Sequence, residues 1–585
     1  MSFDFFDEVY KKQELKYQDL LIKLKRFQIK TNGNKLNNTI AEEQNNIKRK
    51  FFENCSSIFN EINNVNQDTK HWKLIINSWL NPFIVSYLYK FYFFKSLGNQ
   101  ENQFLEKYEA GKIDISTFED FNEFMFGAND LKWNYEFLQI LSLTEKKSLD
   151  KNFKLSDYFT VKKFINNNET TITKLKTRIK IMLDFFYKLI LQKKFIFFSF
   201  PHRLTRFHRF VIYLKNFRKI YFEQSNIYNK NLNLKFDMDK RNKLMNKLLA
   251  LNLFDKSFVL LFCLYIPLSK IENYKFNHQL SLKKINFLLN SKAIISQGNH
   301  IDDEVNFHTY SYLQKKNFRI FVFQHGNNYH LVDHFLHTNI DHEYIFNDIV
   351  FTMGWKTDKK TIPISSPRLI TSNIKLLKYK KKLKSKSFNN DILYIQGPNL
   401  FWNFIKSTHI NHHYFHDYLL MRDDFYNNLN SDIKKRLYFR LYPHTYYQGQ
   451  EDQEFLINIY KNIQFKNNSL FEDIINSFLL IFDVLSTSLL EAMTINKPFL
   501  LFIKPENYSL SEVGKRLFAD LKSIDVLHDN YKTLNNLLTK LDKYNIESWW
   551  NEPERKKIIN NMINNYAYLS KEPINDLIKK IEKQI

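Results

Sequence analysis

The sequence predicts an α/β protein: two Rossmann-like, doubly wound domains preceded by a mainly helical region and followed by C-terminal helices. Three observations carry that expectation. From about residue 191 short β-rich apolar runs alternate with helical patterns. The alternation breaks at one basic polar stretch and then restarts. Finally, 585 residues are too many for a single hydrophobic core.

Residues 1–190 read as helical. YKKQELKYQDLLIKLKRFQ has helix-forming composition, and KHWKLIINSWLNPFIVSYLYKFYFF places large apolar groups three and four residues apart. No period of 20 to 50 residues stands out, which argues against a solenoid. In 191–374, KKFIFFSF, SKAIISQGN and FRIFVFQHG are strand-like, and DDEVNFHTYSYLQKKN between the last two fits a crossover helix. Strand, helix, strand is a βαβ unit, which implies a parallel sheet buried on both faces. YIFNDIVFTMGW and KTIPISSPRL add further short strands. KLLKYKKKLKSKSFNN, 375–390, is basic and aperiodic and is expected to be a linker. In 391–545 the alternation resumes: strands in DILYIQGPN, RLYFRLYPH, FLLIFDVLSTS and PFLLFI, with helices in HDYLLMRDDFYNNL, EDQEFLINIYK and LLEAMTIN. The tail, 546–585, which opens in SWWNEPERKKIINNM, is expected to be helical.

Hydrophobic residues at 44% and aromatic residues at 17% exclude a disordered chain. The formal charge of +25 would by itself suggest a nucleic-acid partner. However, the basic residues are dispersed, and abundant Asn, Lys, Ile, Phe and Tyr beside 10 Gly and 11 Pro are the profile of an AT-rich genome. No zinc-finger spacing, RNA-recognition signature or basic zipper occurs, so no nucleic-acid partner is expected. An anionic membrane surface or a negatively charged sugar donor suits such a surface better. Cys55 and Cys263 are the only cysteines, too few and too far apart for a disulfide framework or a thiolate metal site, which points to a reducing cytoplasm. The acid-bearing first residues do not form a secretory signal. SFVLLFCLYIPL is too short to span a bilayer and SWLNPFIVSYLYKFYFF is interrupted by Asn81, Pro82 and Lys90, so both read as core, with peripheral attachment to the inner face of the cell membrane left open.

Ligands of open parallel sheets bind beyond the carboxyl ends of the strands, which directs attention to the polar residues after each run. In FDVLSTSLLEAM a strand ends at Asp483, the hydroxyls of Ser486, Thr487 and Ser488 follow, and a helix opens. Ser488 and Glu491 have capping-box spacing, a purely structural use, yet hydroxyls beside free helix-start N–H groups also suit a phosphate, and Glu491 could accept from ribose hydroxyls. RLYPHTY offers Arg440 and His444, and YIQGPN offers Gly397 and Pro398, where backbone could approach a ligand closely. In FVFQHGNNYH, His325 and Gly326 follow the strand, and His325 suits a general base or an electrostatic stabiliser. Glu343 and Asp348 are alternative bases, or surface charges. His409, His412, His413 and His416 crowd one short stretch, but no HExxH and no second ligand set accompany them, so no metal site is expected. Aromatic residues in DLKWNYEFLQIL and the Trp549–Trp550 pair fit core packing better than sugar stacking.

Several of these stretches together resemble one family of bacterial transferases encoded among surface-polysaccharide and lipopolysaccharide genes: IFNEINNVNQDTKHWKLIINSWL, QHGNNYH, HEYIFNDIVFTMGW, RLYPHTY, FDVLSTSLLEAM and WWNEPERKKIINNM. The resemblance covers roughly residues 50–570, and its asparagine- and tryptophan-containing first stretch is the most specific part. Related patterns occur in glycerophosphotransferases and capsule transferases, and the histidine motif followed by a serine/threonine motif is similar to bacterial sialyltransferases, in which that pair binds the CMP phosphate. Asn327 stands where the family pattern has a second glycine, and the chain starts in helical sequence where members begin with a strand. The resemblance implies a GT-B-like fold and a glycosyltransferase that moves a sugar from a nucleotide-sugar donor to a glycan or lipid-linked acceptor, needing neither metal nor other cofactor. A CDP-polyol phosphotransferase, or a non-catalytic nucleotide-binding protein of the same fold, are the alternatives.

Overall fold

A computed structural model describes residues 23–28, 30–98, 112–128, 130–146, 149, 153–163, 195–198, 220–222, 235–297, 304–326, 329–332, 343–382, 390–397, 412–441, 456–457, 460 and 462–585. Helix α1 is Gly33–Asn54 and α2 is Thr69–Ser96. Both start at side-chain caps, where Asn32 accepts from Lys35 N–H and Asp68 from His71 N–H, satisfying donors that a helix start leaves open. Pro82 lies inside α2, whose buried residues surround the axis on most sides, as expected of a helix enclosed by neighbours rather than lying on a surface. Among the described residues no helix is long and apolar enough to cross a membrane. The first region is not all helix. β1 (Ile113–Thr117) pairs in parallel with β2 (Phe159–Lys163), its Ile113, Ile115 and Thr117 turned inward and the residues between them half-buried.

The first large sheet holds β3 (Phe195–Phe198), β4 (Ile220–Phe222), β5 (Ser291–Gln297), β6 (Ile320–Phe323), β7 (Ile349–Thr352) and β8 (Thr361–Pro363). Their order is β4-β3-β5-β6-β7-β8, all parallel. Helix α3, Lys256–Tyr265, is the apolar run SFVLLFCLYIPL, buried in the core. α4, Glu304–Lys315, makes the β5-to-β6 crossover. Helix α5, Pro367–Lys382, then follows, so the stretch 375–390 expected as a linker begins inside a helix. Leu369, Ile370 and Leu376 anchor that helix, and its lysines are good helix formers on the outer side.

The second sheet holds β9 (Ile392–Ile395), β10 (Leu437–Arg440), β11 (Gln464–Phe465), β12 (Leu479–Phe482), β13 (Phe499–Phe502) and β14 (Leu527–His528). Its order β11-β10-β9-β12-β13-β14 is the 3-2-1-4-5-6 of the Rossmann fold, again wholly parallel. The central strands ILYI, LLIF and FLLF are buried along their whole length, the consequence of helices on both faces. Crossovers include α6 (Phe415–Asn427), α7 (Thr487–Met493) and α8 (Glu512–Ser523).

The tail joins both halves. α9, Pro553–Tyr566, packs Ile559, Met562 and Tyr566 into the core of the second domain. The chain then crosses: Tyr568 N–H donates to Met353 O at 2.8 Å, and Ser570 N–H to Ser365 Oγ at 3.0 Å. α10, Pro573–Glu582, lays Leu577 and Ile581 on Ile196, Phe198, Ala293 and Phe321 of the first sheet.

Candidate active site

The strand β6 ends in Gln324, His325 and Gly326, and Gln324 is fully used. Its Oε1 accepts from the Met353 backbone N–H and from the Trp355 indole N–H, both at 2.9 Å, while its Nε2 donates to the Gly326 carbonyl at 2.6 Å. A buried amide thus ties the tip of β6 to the tip of β7 and fixes the peptide of Gly326, satisfying polar groups that burial would otherwise penalise. His325 sits between them, half-buried. Tyr329 donates its hydroxyl to Glu343 Oε2 at 2.9 Å and is also bonded by the backbone of His325. His330 adopts a left-handed backbone, φ 70°, and stacks on Trp355 with centroids 5.2 Å apart. Such a conformation is uncommon for a side-chain-bearing residue and is held here by its surroundings.

The facing element is the turn between β12 and α7. Asp483 is buried, its Oδ1 accepting from Gly397 N–H at 2.7 Å and its Oδ2 from the Tyr418 hydroxyl at 2.6 Å. Burial raises its carboxyl to about 6, against the pull of those two donors and of the Arg422 charge. Gly397 and Asp483 follow β9 and β12, the neighbours between which the strand order reverses, which is the position where doubly wound sheets bind ligands. Beyond Asp483 the hydroxyls of Ser486, Thr487 and Ser488 are half-buried, and Ser486 Oγ and Ser488 Oγ are 2.6 Å apart. Ser486 is the N-cap of α7 without a side-chain cap bond, so the capping-box use of Ser488 and Glu491 is not realised.

The two tips meet. A methyl group built on Gly326 would lie 3.4 Å from Thr487 Oγ1. Beside them, residues 329–332 of the first domain dock into the second: Ser511 N–H donates to Leu331 O at 3.0 Å, Ser511 Oγ to His330 O at 2.8 Å, and Val332 bridges Leu510. Tyr329, Leu331 and Val332 consequently belong to the same apolar cluster as Leu485, Leu489 and Leu517.

Not every expected residue comes here. Asp483 holds the Gly397 loop instead of facing a ligand, and Gly397 is needed because a Cβ there would sit 2.8 Å from Val484 Cγ1. Glu491 is taken by Arg368 Nε and Ser372 Oγ of α5, both donating to Oε1 at 3.1 Å, which leaves it the wrong partners for a ribose. Arg440 pairs with buried Asp473 at 2.5 Å and donates to Asn468 O. Asp348 precedes β7, at the opposite end of the sheet, where it exchanges bonds with Ile320: Asp348 N–H to Ile320 O and Ile320 N–H to Asp348 Oδ2, both 2.8 Å. Glu343 is enclosed behind Tyr329, and burial holds its carboxyl well above the usual range. His444 and Pro398 lie outside the described residues, as does His409. His413 bonds the Thr31 carbonyl through Nε2 at 2.7 Å, which makes that nitrogen the donor, so Nδ1 accepts from the Tyr89 hydroxyl at 2.8 Å. It therefore braces the N-terminal helices. Among the described residues no group of His, Cys, Asp and Glu is arranged to hold a metal ion. Sequence reasoning missed Tyr329, Trp355, Tyr418 and Ser511. The first two stand inside stretches already singled out, whereas Tyr418 and Ser511 carry no local signal.

Residues 5–581 match the LIC12162 family transferase. The chain belongs to this family. It is therefore a transferase, and its two Rossmann-like domains with their crossing tail form a GT-B-like fold. Among solved structures, the wall teichoic acid polymerase TagF aligns with 71% of this LIC12162-family chain and 100% of its own, at 12% identity and a TM-score of 0.31. The spinosyn rhamnosyltransferase SpnG aligns with 66% of this chain and 100% of its own, at 8% identity and a TM-score of 0.30. The fold assignment rests on the strand orders, to which likenesses this distant add nothing. No curated protein matches the chain.

Proposed function

We propose that this transferase moves a sugar from a nucleotide-sugar donor to a surface glycan or a lipid-linked acceptor. The observation that carries the reading is the meeting of Gly326 with Thr487, which brings the polar end of one parallel sheet against the hydroxyl-bearing turn of the other. The donor phosphates lie against Ser486, Thr487 and Ser488, with His444 as a further donor to them. As the glycosidic bond breaks, negative charge grows on the leaving phosphate, so hydroxyls aimed at it favour the transition state over the ground state, and no divalent ion is required. His325, beside Gly326, accepts the proton of the attacking acceptor hydroxyl. The apolar docking of residues 329–332 on the second domain keeps water from the donor. A thermal-shift screen with CMP-, CDP-, UDP- and GDP-ligands tests the reading, repeated on Ser486→Ala and His444→Ala. One nucleotide class should raise the wild-type melting temperature and lose its effect in both variants; equal shifts in all three proteins would remove the donor site. Product analysis with nucleotide-sugar and CDP-polyol donors then separates sugar transfer from polyol-phosphate transfer.

A further inference from the structure

Beside the hydroxyl turn after β12 runs a second turn, which follows β13: Pro505–Asn507, flanked by Lys504 and Tyr508. Strands β12 and β13 are parallel neighbours with Phe482 opposite Leu501, and that register, carried three residues further, sets Lys504 level with Leu485, the residue before Ser486. The packing agrees, since Tyr508 and Leu485 share one apolar cluster. The same cluster takes in Leu331, and Val332 bridges Leu510, so the turn stands where the first domain docks. Its backbone is tied: Asn507 N–H donates to Lys504 O at 3.0 Å and Tyr508 N–H to Pro505 O at 3.1 Å. Lys504 is half-buried, and among the described residues its ammonium group meets no carboxylate and no hydrogen-bond acceptor. Other nearby cations are spent, Arg440 on Asp473 and Arg368 on Glu491. A partly desolvated cation without a counter-charge is unfavourable, and an anion brought to it removes the cost. The hydroxyls of Ser486, Thr487 and Ser488 are neutral donors, able to hold phosphate oxygens but not to balance their charge.

We propose that Lys504 is the cation of the donor site and that it selects a diphosphate. The hydroxyl turn takes one phosphate of a nucleoside diphosphate donor, and Lys504 takes the other. Neighbouring strands stand about 4.8 Å apart, a step that two linked phosphates span and a single phosphate does not. The inference rests on the donor-cleft reading and narrows it, from nucleotides in general to those carrying a phosphate pair.

Isothermal titration of the full chain with UDP, GDP and CDP, each beside its monophosphate, tests the assignment in the wild type, Lys504→Met, Lys504→Arg and Ser486→Ala. In the wild type the base class that binds should favour the diphosphate about tenfold over the monophosphate, the usual worth of one charge-assisted contact. Lys504→Met should weaken the diphosphate by that factor, leave the monophosphate unchanged and so erase the preference, while Lys504→Arg should keep most of it. The melting temperature of Lys504→Met should not fall, because the ammonium group holds no partner among the described residues. Equal affinity for mono- and diphosphate in the wild type, or a preference that Lys504→Met leaves intact, overturns the assignment. A lower melting temperature with both affinities reduced alike would make the lysine structural and overturn it too. Where binding depends on Ser486 and not on Lys504, the lysine alone is misassigned; where no nucleotide binds the wild type, the donor cleft falls and the lysine with it.

Discussion

Alanine at Gly397 has no place for its Cβ, which would sit 2.8 Å from Val484 Cγ1 and 2.9 Å from Val484 Cβ. Because both chains are buried at sheet tips, relief requires backbone movement, and Gly397→Ala should lower stability by about 1–3 kcal/mol, as overpacking does, measured by denaturant unfolding. Its partner Asp483 makes a pH prediction. Burial raises that carboxyl from the usual 3.8 to about 6. A group raised on folding contributes stability that is fully present below its unfolded value and is lost as pH rises through the folded one. The protein should therefore lose about 3 kcal/mol between about pH 3 and pH 7 through this residue alone, and Asp483→Asn should flatten that part of the stability profile. A profile with the same slope in wild type and variant would assign the pH dependence elsewhere. Gly326 is different: alanine there reaches only ordinary contact with Thr487 Oγ1, so Gly326→Ala should fold normally, while Gly326→Val should obstruct the gap and suppress nucleotide-induced stabilisation without a matching loss of melting temperature.

At the scale of elements, the start of α8 does two tasks. Ser511 Oγ accepts from Gly514 N–H at 3.1 Å as the helix cap and donates across the domain boundary to His330 O. Ser511→Ala should cost about 1–2 kcal/mol for the cap and in addition speed hydrogen exchange at residues 329–332, which a cap confined to its own helix would not do. Which elements were legible beforehand follows from burial. β6, β9, β12 and β13 are continuous apolar runs because helices cover both faces, and such runs are visible in sequence. The pair β1–β2 was not, since five residues alternating between buried and half-buried positions are lost within a region of strong helical periodicity. The end of α5 has the sequence of a linker because its lysines hide an anchor of only a few apolar residues, Leu369, Ile370 and Leu376. The site divides in the same way. The hydroxyl turn after β12 and the QHG after β6 announce themselves as polar residues ending apolar strands, but that Glu491 is held by Arg368, or Arg440 by Asp473, depends on elements distant in sequence.

For the whole molecule, the tail decides how the halves behave together. α9 belongs to the core of the second domain, and α10 covers the first sheet, with Leu577 fully buried in the apolar cluster that holds Ile196, Ile295 and Phe323. The segment between them is fixed at Tyr568 to Met353 and at Ser570 to Ser365, and Asp576 accepts from both the backbone and the hydroxyl of Ser365. Residues 329–332 make the reciprocal connection, a first-domain loop buried in the second core. Two such exchanges couple the unfolding of one sheet to exposure of apolar surface on the other. Leu577→Ala removes buried methyl groups and leaves a cavity under α10, a change that costs about 2–5 kcal/mol in well-packed cores. If the halves are coupled, the variant should unfold in one transition shifted to lower denaturant, and amides of β12 and β13 should lose protection along with those of β5 and β6. Were only the first sheet to lose protection, with the second unchanged, the tail would be a local cover, and the two tips would owe their meeting to residues 329–332 and to the α5 contacts with Glu491.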